Sequence, residues 1–158
     1  MSVCHNEFNP HNVIISEKTR NNVMEGSDFH RLIFSDEHCS TNGIYIHFGL
    51  KNITVEKYFN KIKCCFDNNS INNQTISSIK SIEKMILNKF KNIQNRTLSC
   101  RIQEQLQNGF IKLYGDDNVR YGKQNEIHFL LKISGIWASN QANDFGLTFR
   151  FFIFNNQF

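Results

Sequence analysis

Two long alternating runs near the C-terminus, joined by a polar turn, constrain the fold more than any other stretch of the sequence. Each run places apolar side chains at every second position, as expected for a strand with one buried face. The apolar positions of the first run, Glu126 to Trp137, are Ile127, Phe129, Leu131, Ile133 and Trp137, and those of the second are Phe145, Leu147, Phe149, Phe151 and Ile153. The opposite face of the second run carries Thr148, Arg150, Phe152 and Phe154. We expect the two runs to pair as an antiparallel ribbon.

Shorter runs upstream predict further strands. Phe29 to Phe34, Gly43 to Lys51 and Phe110 to Tyr114 are the clearest candidates. Val55 to Phe66 fits either a strand or a helix, and its aromatic residues and terminal Cys-Cys-Phe favour the strand. As one strand it would place Lys57, Phe59, Lys61 and Lys63 on one face, and it would point Cys64 and Cys65 in opposite directions.

A helical segment interrupts the strands. Apolar residues at three- and four-residue spacing predict an amphipathic helix that begins after Thr75, which is a plausible N-cap. Its apolar stripe is Ile76, Ile79, Ile82, Met85, Ile86, Phe90 and Ile93, and the lysines Lys80, Lys84, Lys89 and Lys91 are read as solvated. A second, short helix is predicted over Leu98 to Gln107, ended by Asn108-Gly109.

These elements predict a mainly β, α+β protein. A chain of 158 residues is long enough for one domain with its own core. We expect residues 1–28 to form an N-terminal arm and residues 29–158 a single OB-like β domain with a helical insertion at about 75–107. The fold would be an OB-like antiparallel barrel or curved sheet of about five to seven strands, with one or two helices inserted after the third strand.

The sequence does not predict an enzyme. It has no G-x-S-x-G, no P-loop, no dinucleotide-binding glycine pattern and no H-E-x-x-H motif. A zinc site from Cys4, His5, His38 and Cys39 is conceivable, but adjacent pairs are poor ligand spacing. We therefore expect no catalytic residues, no cofactor and no metal.

Basic strands with interleaved aromatic residues favour a binding role. Single-stranded nucleic acids need cations along their phosphates and ring faces for their bases. The chain has a formal net charge of +4 and 13% aromatic residues. The candidate nucleic-acid-binding residues are Lys57, Phe59, Lys61, Lys63, Lys132, Trp137, Arg150 and Phe152.

Three structural interpretations compete with this one. The lysines around Phe59 could form an ordinary solvated strand face. A helix could cover Phe152 and Phe154 and make them a second core layer, and Trp137 could be a core anchor rather than a stacking platform.

Part of the C-terminal half resembles known sequences. EQLQNGFIKLYG (Glu104 to Gly115), together with FLLKISGIW and FGLTFRFF, is similar to the C-terminal block of small, uncharacterised proteins of large double-stranded DNA viruses and related mobile elements. The order of strands and helices also resembles that of OB-fold viral single-stranded DNA-binding proteins. Some of those end in an acidic tail with a terminal aromatic residue; this chain ends in Phe158 but lacks the acidic run.

We therefore expect a non-enzymatic, sequence-independent, single-stranded nucleic-acid binding protein of viral origin, active in DNA replication, with DNA as the expected nucleic acid. The alternative is a viral structural or host-protein-interaction protein that uses an exposed Phe-rich strand. Replication or virion proteins, or a second copy of this chain, would be further partners. With no run of about 18 apolar residues, no membrane partner is expected. Five Cys without C-x-x-C spacing favour an intracellular protein, in the host cytoplasm or nucleus if viral.

Overall fold

The computed structural model describes residues 2–21, 23–67, 70–92, 95–114 and 119–154. Its strands are β1 (Val3–Cys4), β2 (Val13–Arg20), β3 (Ser27–Ser35), β4 (Ser40–Asn42), β5 (Ile44–Tyr58), β6 (Lys61–Phe66), β7 (Thr97–Ser99), β8 (Phe110–Tyr114), β9 (Gly122–Ser139) and β10 (Asp144–Ile153). Its α-helices are α1 (Ser70–Lys91) and α2 (Arg101–Gln107), and a 3-10 turn spans Pro10–Asn12. Neither helix in this part of the chain is both long and apolar enough to cross a bilayer.

One mainly antiparallel sheet contains all ten described strands. Its main path is β2-β3-β9-β5-β6-β8, and β10 pairs along the other edge of β9. Two short strands pair in parallel, β1 with β5 and β7 with β10, while β4 extends the edge of β3. β9 is therefore the central strand, and the ribbon of β9 and β10 predicted from the alternating runs is confirmed.

The sheet curls but is not closed into a barrel. β5 and β8 both run antiparallel to β6, and β5 and β10 both run antiparallel to β9, so β8 and β10 point the same way. Their outer side chains meet, since the Arg150 guanidinium lies 4.9 Å from the centre of the Tyr114 ring. No described backbone hydrogen bonds pair the two strands, so a gap remains between them.

The core lies between one face of this sheet and α1. The inward positions of β9 and β10 are those that the alternation predicts, from Ile127 to Ile133 and from Phe145 to Ile153, although Phe149 and Ile153 are only partly buried. The apolar stripe of α1 packs against this face. At its C-terminal end, the Phe90 ring lies 4.8 Å from that of His30 and 5.1 Å from that of Phe145.

Two buried polar side chains fix α1 to its neighbours. Asn72 pairs with the backbone of Lys51, its Oδ1 accepting from the N–H at 2.8 Å and its Nδ2 donating to the carbonyl at 2.9 Å. Glu83 is 1% exposed and accepts from the N–H groups of Ile102 and Gln103, each at 2.9 Å. A carboxylate from α1 thus satisfies backbone donors that α2 leaves unpaired in its first turn.

Several sequence predictions need correction. The sheet has more strands than the predicted five to seven, and α1 follows β6, not the third strand. α1 begins at Ser70, so Thr75 is not its N-cap. Lys89 is not solvated, because its ammonium donates to the carbonyls of Pro10 and Val13. The predicted helix end at Ile93 and the C-terminal Phe158 lie outside the described residues.

The segment from Val55 to Phe66 is not one strand. β5 and β6 form a hairpin in which Tyr58 pairs with Lys61, and Phe59-Asn60 is the two-residue turn. Residues 1–28, expected as an arm, include β2, which pairs with β3 and buries Val13 in the core.

Candidate nucleic-acid interface

Cations and aromatic rings share the outer face of β6, β8 and β10. Because Ile62, Cys64, Ile111 and Leu113 point into the core, the side chains between them point outward. The hairpin adds Tyr58, and β10 adds two more positions across the gap. We call this surface the ring–cation face: Tyr58, Lys61, Lys63, Phe110, Lys112, Tyr114, Arg150 and Phe152.

Strand register brings residues from distant parts of the sequence together. Lys61 pairs with Tyr58 in β5 and with Tyr114 in β8, and Lys63 pairs with Lys112. Two lysines therefore lie side by side on adjacent strands, although like charges directly opposite each other are unfavourable. A negatively charged ligand would relieve that repulsion.

Each cation of the face lies over at least one ring. The ammonium of Lys63 is 4.8 Å from the centre of the Phe110 ring, and that of Lys112 is 5.2 Å from the same ring. Both ammonium groups are 5.5 Å from the Tyr58 ring. Contacts of this length are attractive because the ring face is electron-rich. The rings thereby hold the lysine heads at fixed places on the surface.

The series continues across the gap between β8 and β10. The Lys61 ammonium lies 5.1 Å from the Tyr114 ring, and the Arg150 guanidinium covers the same ring. Arg150 also lies 5.1 Å from the Phe152 ring. The ring–cation contacts thus form two groups, one around Phe110 and Tyr58 and one around Tyr114 and Phe152, which adjoin where Tyr58 pairs with Lys61.

The positive charge of this face is largely uncompensated. Among the described outward residues of β5, β6, β8 and β10 that border it, the sole carboxylate is that of Glu56, which lies opposite Lys63 in the register of β5 and β6 and accepts from the Cys65 thiol at 3.3 Å. In the described part of the chain, no carboxylate comes within 4 Å of Lys61, Lys63, Lys112 or Arg150. Four cations thus remain available to a ligand.

The two cysteines of β6 have opposite environments, as the alternation predicts. Cys64 points into the core, and burial raises its pKa to about 12. Its thiol stays protonated at neutral pH and is therefore a weak nucleophile. Cys65 points outward to Glu56, and partial burial, followed by that carboxylate, raises its pKa as well.

The structure brings together some of the predicted site residues. Lys61, Lys63, Arg150 and Phe152 share the ring–cation face. Lys132 lies beside Arg150 in the register of β9 and β10, with its ammonium 5.7 Å from the Tyr45 ring, on the same outer side of the sheet.

The predicted grouping of Lys57 and Phe59 with these lysines is wrong. Lys57 pairs with Ile62, so the alternation places it on the other side of the hairpin. Phe59 occupies the turn, which interrupts the alternation, so that Tyr58 and not Phe59 lies on the ring–cation face. Its ring is 80% exposed at the hairpin tip, and its φ is 55°.

Trp137 is a packed residue and not an open stacking platform. It is 3% exposed, and the Arg101 guanidinium covers its ring at 4.6 Å. A base therefore cannot stack on this ring, because almost none of the side chain is exposed.

Sequence reasoning missed four residues of the face: Tyr58, Phe110, Lys112 and Tyr114. A signal for three of them was present, because the alternation of Phe110 to Tyr114 around buried Ile111 and Leu113 puts a ring, a cation and a ring on one side. Elsewhere in the described ranges, no three His, Cys, Asp or Glu side chains come together as metal ligands would.

Comparison with known proteins adds no relative: no family model, curated protein or solved structure matches this chain.

Proposed function

We propose that the chain is a non-enzymatic, sequence-independent binder of single-stranded DNA. The observation that carries the proposal is the ring–cation face, where four cations with no described carboxylate within 4 Å lie over exposed or half-buried rings. Phosphates would follow the cations, and bases would stack on ring faces at about 1–3 kcal/mol per base. Since every base has a ring face, such contacts select no sequence.

The strand arrangement supports an OB-like version of this proposal. β5, β6, β8, β9 and β10 can be taken as the five strands of a small, partly open barrel whose gap lies between β8 and β10. In OB-folds the face of the second and third strands and the loop between the first two bind oligonucleotides. Here those places hold Lys61, Lys63, Lys112 and the exposed Phe59. Because the order of strands and helices resembles that of OB-fold viral single-stranded DNA-binding proteins, we extend the proposal to a role in viral DNA replication.

A salt-dependent titration tests the proposal. Fluorescence anisotropy of labelled oligo-dT is measured with the full chain at several salt concentrations. Four phosphate contacts predict a slope of log affinity against log salt of about −3, since each contact on a single strand contributes about 0.7. The variant Lys61→Gln/Lys63→Gln/Lys112→Gln should lose about two units of this slope. Absence of binding by the wild-type chain at low salt would refute the proposal.

A charge-matched variant separates the face from net charge. Lys18, Lys84 and Lys91 are exposed on β2 and α1. Changing all three to Gln removes the same formal charge as the face variant. If both triple variants lose the same affinity, the chain binds DNA through its overall charge and not through this face. If only the face variant loses affinity at an unchanged thermal midpoint, the assignment holds.

One observation favours the alternative of a protein-interaction strand. β10 pairs with β7 only from Asp144 to Gly146, and no described strand continues that edge to Ile153. An extended segment of a partner could add there. Such pairing would depend weakly on salt, so binding that survives high salt would support it over DNA binding.

A further inference from the structure

A second concave surface begins where the ring–cation face ends. A cavity of about 680 Å³ lies among β2, β3, β10, α2 and the end of β8. Tyr114 lines it and also carries Lys61 and Arg150 on its ring. We call it the arginine pocket, after Arg20, Arg31 and Arg101 in its lining. Its volume is within the range of about 300–1,000 Å³ that small-molecule sites occupy.

The pocket has the charge of an anion site. None of the described residues that line it is Asp or Glu. Arg20 and Arg31 are exposed, and no carboxylate of the described chain lies within 4 Å of either. Arg20 also lines an adjacent cavity that contains Glu25 and Asp28, and Asp28 is its cross-strand partner, so carboxylates border the pocket beside Arg20 although none of them lines it. Guanidinium groups in such a place suit phosphate, which they bind through paired hydrogen bonds.

The floor of the pocket is aromatic and flat because two glycines make room for rings. A Cβ on Gly135 would lie 2.3 Å from the Phe29 ring, and one on Gly146 would lie 2.7 Å from the Trp137 ring. Both rings therefore lie across the neighbouring strand instead of standing away from the sheet. Trp137 is 3% exposed and the Tyr114 ring already carries Lys61 and Arg150, so the ring surface left for a ligand is that of Phe29.

We infer that the arginine pocket binds one nucleotide unit, with its phosphate on Arg20 and Arg31 and its base against Phe29. A pocket that is cationic at its rim and aromatic at its floor matches a ligand with a phosphate and a planar base. If the ligand is the end of a bound DNA strand, this inference rests on the proposed function. If the ligand is a free nucleotide, the inference is independent of it.

Trp137 supplies the readout, because it is the single tryptophan of the chain and lines the pocket. Intrinsic fluorescence of the full chain is titrated with dTMP and, separately, with thymidine. dTMP should change the fluorescence saturably, and thymidine should bind at least about tenfold more weakly, because it lacks the charged group that the arginines bind. The variant Arg20→Gln/Arg31→Gln should weaken dTMP binding by a similar factor. Arg120→Gln/Lys123→Gln, a change of two exposed cations elsewhere, should leave it unaltered.

Equal responses to dTMP and thymidine, or unchanged dTMP affinity in the Arg20/Arg31 variant, would overturn the inference. An oligo-dT with a 5′ phosphate is then compared with the 5′-hydroxyl form. Tighter binding of the phosphorylated strand, lost in the Arg20/Arg31 variant, identifies the ligand as a strand end, whereas equal binding with an intact dTMP response identifies it as a free nucleotide. The triple lysine variant of the ring–cation face keeps the two proposals apart, since it should lose oligo-dT affinity and keep the dTMP response.

Discussion

Phe59 offers the sharpest test of the interface, because its backbone conformation favours glycine, whereas stacking on a base requires an aromatic ring. Phe59-Asn60 is a two-residue hairpin turn in which only Phe59 has a positive φ. Turns of this kind favour glycine at that position, and a left-handed conformation costs another residue about 1–2 kcal/mol. The chain nevertheless places a phenylalanine there, with its ring 80% exposed. Strain of this kind at an exposed residue is a reason to expect a function for it.

Two substitutions separate the backbone from the ring. Phe59→Ala keeps the strained φ and removes the ring, whereas Phe59→Gly removes both. The Phe59 ring contacts the ring of Tyr58 at 4.9 Å, and losing such a pair costs about 0.5–1.5 kcal/mol in either variant. The relief of strain then makes the glycine variant more stable than the alanine variant by about 1 kcal/mol. Both variants lose the same stacking contact with DNA, worth about 1–3 kcal/mol, so their dissociation constants should rise equally, by about 5- to 150-fold.

Urea unfolding gives the stabilities, and anisotropy with labelled oligo-dT gives the affinities. Asn52→Gly is a suitable control, because Asn52 also has a positive φ, 57°, but lies away from the hairpin tip. It should change neither quantity by much, since asparagine tolerates this conformation. The reasoning fails if both Phe59 variants bind oligo-dT as tightly as the wild-type chain. It also fails if the more stable of the two variants binds oligo-dT more tightly than the other.

Three further predictions concern the scaffold. Glu83→Leu should cost about 2–5 kcal/mol of unfolding free energy, because it leaves the N–H groups of Ile102 and Gln103 buried and unpaired, whereas Glu83→Gln should cost less because its amide oxygen can still accept. Burial raises the pKa of Glu83, so the folded chain binds this proton more tightly than the unfolded chain does. The unfolding free energy of the wild-type chain, relative to that of Glu83→Gln, should therefore rise as the pH falls from the folded pKa toward about 4.5. Urea unfolding at a series of pH values measures it, and a decrease of this difference over the same pH range would contradict the prediction. Gly146→Ala should destabilise by about 1–3 kcal/mol through overpacking, since its Cβ would lie 2.7 Å from the Trp137 ring and 2.8 Å from the carbonyl oxygen of Ser99; an unchanged thermal midpoint would show that the ring can move.

Much of the fold follows from local pattern. A period of two identified the inward positions of β10 and those of β9 as far as Ile133, and a period near 3.6 identified the stripe of α1, because burial on one side of an element repeats with the element's own geometry. The opposite orientations of Cys64 and Cys65 followed in the same way. Beyond Ile133 the register shifts, so the prediction that groups Trp137 with the inward residues is wrong, and Ile136 and Ala138 join the core instead. One misplaced turn was enough to break this reasoning, since the turn at Phe59 exchanged the faces of Lys57 and Tyr58.

The candidate sites depend instead on contacts between residues far apart in the chain. Lys63 meets Lys112 because β6 pairs with β8, and Arg150 reaches Tyr114 because the sheet curls until β8 and β10 approach each other. The alternation of a single strand indicates which side chains point outward, but it carries no information about the strand that will lie beside it. Sequence alone thus determined which cations and rings point away from the core. Tertiary structure alone decided which of them come into contact, because strand register and sheet curvature are set by the packing of the whole sheet around α1.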